Sequence, residues 1–275
     1  MFLKKLSVAG AGVLASTGAA WAAAGPQPWE IDLQPAVTPV MERIEDFHTL
    51  LVYIITAISL FVLALLLWVM FRYNARSNPV PSRVVHNTTL EIVWTIVPVI
   101  ILVLIAIPSF RLLYFEADIP TPDLTLEAIG HQWYWSYQYP GSGDFQFDSQ
   151  GLSDADAEKA NEPRLLGVDN TVVVPVNKVV MVETTGADVI HSWAVPAFGV
   201  KMDAIPGRIN KTWFKATKEG TYYGQCSELC GARHAFMPIE VRVVSEKAYE
   251  AWLAGAKKKF ASDDADTTRL AALAK

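Results

Sequence analysis

The 275-residue chain has only two cysteines, Cys226 and Cys230, and five histidines. One pair of thiols cannot build a multi-bridge disulfide scaffold, nor a zinc site of four cysteines. There is no Cys-x-x-Cys-His string and no surplus of histidine in the long apolar runs, so the chain offers no haem site. Charge is sparse too. Asp, Glu, Lys and Arg make up 19% of the residues, and two long stretches contain none of them. A net charge of −5 gives no basic face, and no nucleic-acid partner is expected.

Apolar residues, by contrast, make up 52% of the chain and are concentrated. In residues 1–24, Lys4 and Lys5 precede the apolar Leu6 to Ala20, and Ala20, Ala22, Ala23 and Ala24 close the segment. That is the pattern of a signal peptide, with cleavage near Ala22 to Ala24. Residues 25–47 then form an N-terminal extracytoplasmic segment. His48 to Phe71 and Ile92 to Phe110 carry no Lys, Arg, Asp or Glu. Each reaches roughly the 20 residues that cross a bilayer core. Pro98 and Pro108 are tolerated in a membrane helix. Spans are expected over 48–71 and 91–114. The connecting loop, 72–90, holds Arg72, Arg76 and Arg83 and no acid, whereas Glu30, Asp32, Glu42, Glu45 and Asp46 precede the first span. The positive-inside rule puts this loop in the cytoplasm and both termini outside. Glu91 opens the second span, either as a solvated helix-start acid or as a proton-handling group.

From Ile119 the pattern changes to short β-rich runs: LTLEAIGHQWYWSYQY, TVVVPVNKVVMVETT, HSWAVPAFGV, TYYGQC and MPIEVRVV. An antiparallel sandwich or barrel over 119–244 is predicted, with a long loop or excursion at 141–170. Residues 245–275 read as a C-terminal helix and solvated tail with no special role.

The densest chemistry lies between Cys226 and Met237, where two thiols, His234 and the Met237 thioether fall within twelve residues. Gly231 offers a tight turn. Soft sulfur with imidazole selects copper, and a weak axial methionine marks electron-transfer copper sites. Two cysteines four apart can aim both sulfurs at one point and bridge a pair of metal ions. His191 is the best candidate for a second imidazole. A Cys226–Cys230 disulfide, with His234 exposed and Met237 in the core, is the competing reading. His48, His86 and His131 are given no role.

The strings CSELCGARHAFMP, DVIHSWAVPAFGVKMDAIPGR and GHQWYWSYQYP resemble subunit II of cytochrome c oxidase, over roughly Phe47 to Val244. The resemblance implies a two-helix transmembrane hairpin plus an all-β cupredoxin-like Greek-key barrel with a dinuclear copper centre, CuA. In it Cys226 and Cys230 would bridge the coppers, His191 and His234 would each terminate one, and Met237 would be a weak ligand. Glu228 would offer its backbone carbonyl to copper and its side chain to a magnesium or manganese ion shared with subunit I. Trp133, with Tyr134 beside it, would receive electrons from cytochrome c, and Glu91 would stand at the mouth of a proton channel into subunit I. From Glu116 to Arg242 there are 17 acids against 10 bases, an acidic balance suited to a basic partner. Asp169 and Asp188, then Asp144 and Asp148, are the implied docking acids, while Gln138 stands where relatives often carry an acid. The implied setting is the bacterial inner membrane with the copper domain on its periplasmic side, in a complex that reduces dioxygen and translocates protons. A quinol oxidase subunit would lack the ligands, and a copper chaperone or thiol oxidoreductase would show a thioredoxin-like α/β pattern.

Overall fold

A computed structural model describes the backbone of residues 23–273 and the side chains of residues 25–260. The leader expected at 1–24 lies outside the described residues except for its last two, which form the short strand β1, Ala23–Ala24.

Two long helices follow. Helix α1, Pro39–Arg72, begins well before the apolar run, because Thr38 caps it with its hydroxyl on the Met41 N–H and Pro39 fits the first turn. Helix α2, Thr88–Ala117, is capped by the Asn87 side chain on the Leu90 N–H and accommodates Pro98 and Pro108. Both are long and apolar enough to cross a membrane, and along them Leu, Val, Ile and Phe side chains stand exposed. At 1.5 Å per residue α1 is about 50 Å long and overshoots a bilayer core. Its extra turns are anchored in protein. Val40 and Met41 are buried, and the Thr38 hydroxyl donates to the Phe198 carbonyl at 2.7 Å. At the corresponding end of α2, the Trp213 indole N–H donates to the Glu116 carbonyl at 3.2 Å, and its ring packs edge-on against Phe115.

The rest is a β domain. Its strands are β2 (Leu124–His131), β3 (Tyr134–Gln138), β4 (Gln146–Ser149), β5 (Val172–Pro175), β6 (Val180–Gly186), β7 (His191–Val195), β8 (Val200–Ala204), β9 (Asn210–Phe214), β10 (Gly220–Gln225) and β11 (Pro238–Val244). One sheet has the order β1-β10-β11-β5, a second β4-β3-β2-β6-β9, and β7-β8 form a ribbon. Alternate residues of β2 and β6 point inward: Leu124, Leu126 and Ala128 on one, Val180, Val182 and Thr184 on the other. They meet Trp135, Trp193, Phe198, Phe214 and Tyr222 in one continuous core. The architecture is the expected membrane hairpin plus all-β cupredoxin-like domain.

Three details differ from the sequence reading. The pairing is mixed rather than antiparallel: β2 runs parallel to β6, and β5 to β11, because their connections are long enough for crossovers. The stretch 141–170 is not only loop, since it holds β4 and the helix α3, Asp154–Ala160. The C-terminal helix is present as α4, Glu246–Leu273, but it has a packing role where none was expected. Trp252 packs at an angle against Tyr139 and Phe145, Phe260 stacks with Phe145 and Phe147, and Ala256 is buried against the core. The helix lies beside β4 and β5, the outer strands of the two sheets.

Candidate metal centre

The loop between β10 and β11 is closed at its base by the Cys226 N–H donating to the Met237 carbonyl at 3.0 Å. The Ser227 N–H ties it sideways to the Ser192 carbonyl of β7, also at 3.0 Å. Consequently the first residue of β7, His191, faces the loop and is fully buried. Gly130 makes this possible: a Cβ there would lie 2.7 Å from the His191 ring, so only glycine lets β2 pass so close.

The His191 Nδ1 lies 3.8 Å from the Cys226 sulfur, which lies 3.8 Å from the Cys230 sulfur; the His234 Nδ1 lies 3.6 Å from the latter. His191, Cys226 and Cys230 hold one ligand atom each within 4.8 Å of one another, all buried. The Glu228 carbonyl is 3.3 Å from the Cys226 sulfur, whereas its residue is exposed. Met237 is 1% exposed, with its side chain in the core of the domain. Two free thiols 3.8 Å apart stand well beyond the roughly 2.0 Å of a disulfide bond.

The electrostatics of the pair are split. Burial alone would raise the Cys226 thiol, but hydrogen bonds with His191 and the nearby backbone bring it down to about 6. Burial and the neighbouring Cys226 push Cys230 up to about 12. The two buried thiols, the buried His191 and half-buried His234 imidazoles and the Glu228 carbonyl suit a soft cation that would displace the thiol protons. Behind it, Asp188 accepts from the His191 Nε2 at 2.8 Å, the carboxylate–histidine arrangement that orients a metal ligand. Burial works against the Asp188 charge, but bonds from His191, Val189 and Gln132 hold it below the usual carboxylate range.

Residues 124–244 match the family described as cytochrome c oxidase subunit II, periplasmic domain, and residues 26–112 match its transmembrane domain. The chain belongs to the cytochrome c oxidase subunit II family. It is 50% identical over 242 residues to a probable cytochrome c oxidase subunit 2 of Rickettsia bellii, covering 88% of this chain and 90% of that one. It is 44% identical over 270 residues to cytochrome c oxidase subunit 2 of Cereibacter sphaeroides, covering 90% and 89%. The periplasmic domain of subunit II of cytochrome oxidase from Bradyrhizobium japonicum is 62% identical, covering 52% of this chain and 99% of that one, with a TM-score of 0.49. The protein is thus a membrane-spanning subunit of an oxidase complex, with a His/Cys group able to hold a metal.

The other residues singled out in the sequence supply no ligand atom to this cluster. Trp133 is half-buried, with its indole N–H enclosed and unpartnered, and Tyr134 stacks on His131 with ring centroids 4.5 Å apart. Asp188 is only partly open and both its oxygens are engaged. Asp144, Asp148 and Asp169 are exposed, though each accepts one hydrogen bond from its own neighbourhood. Glu91 is exposed in the first turn of α2, far along the chain from the metal cluster and outside it. Sequence reasoning missed Gly130, Gln132 and the carboxylate–imidazole bond of Asp188. The adjacency of Gly130 and Gln132 to the aromatic run was the available signal.

Proposed function

We propose that this chain accepts electrons from a cytochrome c at a dinuclear copper centre, CuA, and passes them to a haem-bearing subunit I that reduces dioxygen and translocates protons. The observation that carries the reading is the buried thiol pair of Cys226 and Cys230, 3.8 Å apart, flanked by one imidazole on each side. Bound there, a copper pair would supply reversible one-electron storage spread over two metals. Cys226 and Cys230 would hold it by their thiolates, His191 and His234 by their imidazoles, and Met237 and the Glu228 carbonyl more weakly. The chain's own part is rigidity: ligands fixed on β7 and in a doubly tied loop leave little to rearrange when an electron arrives.

In this reading Trp133, with Tyr134 beside it, meets the haem edge of cytochrome c, and Asp144, Asp148, Asp169 and Asp188 contribute to an acidic docking field. The exposed Glu228 side chain would hold a magnesium or manganese ion shared with subunit I. Glu91 opens a proton path into subunit I from the cytoplasmic side. The leader 1–24 is removed, spans 48–71 and 91–114 place loop 72–90 in the cytoplasm of a bacterial inner membrane, and domain 119–244 with tail 245–275 is periplasmic.

The test is copper content and the electron paramagnetic resonance spectrum of the copper-loaded chain. Two coppers per chain sharing one unpaired electron support the reading. One copper reduces it to a mononuclear site, and a Cys226–Cys230 disulfide without copper refutes it.

A further inference from the structure

We infer that Gln132 is a positioning residue that fastens the Trp133 segment to the thiol-bearing loop, setting how fast electrons cross from Trp133 toward the metal centre. The inference rests on the proposed electron-accepting role and deepens it.

Gln132 sits at the β2–β3 turn and is exposed, so packing does not explain its presence. Its side-chain Nε2 donates to the Cys230 carbonyl at 2.8 Å, across 98 residues of sequence. Its backbone N–H donates to the Asp188 carboxylate at 2.7 Å, and the other oxygen of Asp188 bonds the His191 Nε2 at 2.8 Å. One residue therefore holds the turn to both sides of the ligand cluster, to a thiol-bearing residue directly and to an imidazole through Asp188. The next residue is Trp133. A Cβ on Gly231 would lie 3.1 Å from the Trp133 ring and 3.1 Å from the Gln132 Nε2, so both side chains rest on the Cys230–Gly231 backbone. With its indole N–H making no hydrogen bond, Trp133 is held in place by packing and by its neighbour rather than by a polar tether of its own. Electron transfer between non-bonded groups falls steeply with their separation. A turn free to lift from the loop would slow transfer without touching a ligand.

The substitutions that test this are Gln132→Leu and Gln132→Met, neither of which can donate to the Cys230 carbonyl or adds a charge. Both leave the backbone bond to Asp188 intact. In the assembled oxidase both should lower the turnover number with cytochrome c several-fold with little change in KM. The copper resonance spectrum, the copper potential and the rate of copper reduction by a small soluble reductant should stay at parent values. A rise in KM alone would make Gln132 a docking contact, and a changed spectrum or potential would make it part of the ligand support; either outcome overturns the inference. Parental kinetics in both variants also overturn it. Trp133→Phe separates the levels: if it slows cytochrome c oxidation while the Gln132 variants do not, only the positioning role fails. If it too has no effect, the electron-accepting role of Trp133 fails with it.

Discussion

The hairpin and the β domain of this one chain solve opposite problems. Along α1 and α2 apolar side chains face outward, Leu60, Phe61, Leu102 and Leu104 among them, and the helices satisfy their backbone groups internally. In the domain, Trp135, Trp193, Tyr222 and Phe214 are sealed from solvent, and polar side chains face outward. The hairpin therefore depends on lipid or partner subunits for its apolar surface, whereas the domain carries its own core. The chemistry sits on the self-sufficient half, where ligand positions are held by packing rather than by the surrounding complex.

The strongest way to sharpen this contrast is Cys226→Ser. Copper binding by the full chain in detergent should be abolished while the far-ultraviolet circular dichroism stays that of the parent. Metal retained at the parental stoichiometry would locate the site elsewhere. Next, residues 119–275 alone should unfold cooperatively in water, with a Tm lowered by loss of the contacts made by residues 23–118, among them β1 on β10, Val37 on Ala197 and Thr217, Thr38 on Phe198, and Phe115 and Glu116 on Trp213. A non-cooperative melt would break the comparison by making the domain depend on its anchor.

Phe260→Ala should lower the domain's stability by about 3 kcal/mol in chemical denaturation, because its ring lies 4.8 Å from Phe147 and 6.0 Å from Phe145. A change under about 0.5 kcal/mol, typical of surface sites, would return α4 to a solvated role. The smallest effect concerns Glu240, which is 1% exposed and takes hydrogen bonds from Thr171 and Val168. Burial and the nearby Glu162 raise its carboxyl above the usual range. A raised carboxyl holds its proton more tightly in the fold, so its stabilising contribution is full below the unfolded value and is lost as pH rises through the folded one. Glu240→Gln should therefore remove part of the stability gained by the parent between pH 7 and pH 5. Identical pH slopes in the two proteins would refute this.

Much of this was legible in the residues. Charge-free runs announce spans because an ionisable group in the bilayer core is costly, and a sulfur–imidazole cluster within twelve residues announces a soft metal. Helix α4 was half legible: Tyr249, Trp252, Leu253, Ala256 and Phe260 repeat at helical spacing, but a stripe does not say what it covers. The parallel pairing of β2 with β6 was hidden, since alternation along a strand marks its faces and not its neighbours.

By itself the sequence determined the membrane hairpin, the β character of the domain and the residue types of the ligand set, because these follow from local hydropathy, periodicity and donor chemistry. Only the tertiary structure decided that His191 meets Cys226 across 35 residues, that Asp188 backs that imidazole, and that Gln132 reaches the Cys230 carbonyl. Those contacts depend on how closely β2, β7 and the loop before β11 approach one another. That approach is set by the packing of the whole core and by Gly130, whose missing side chain no local pattern explains.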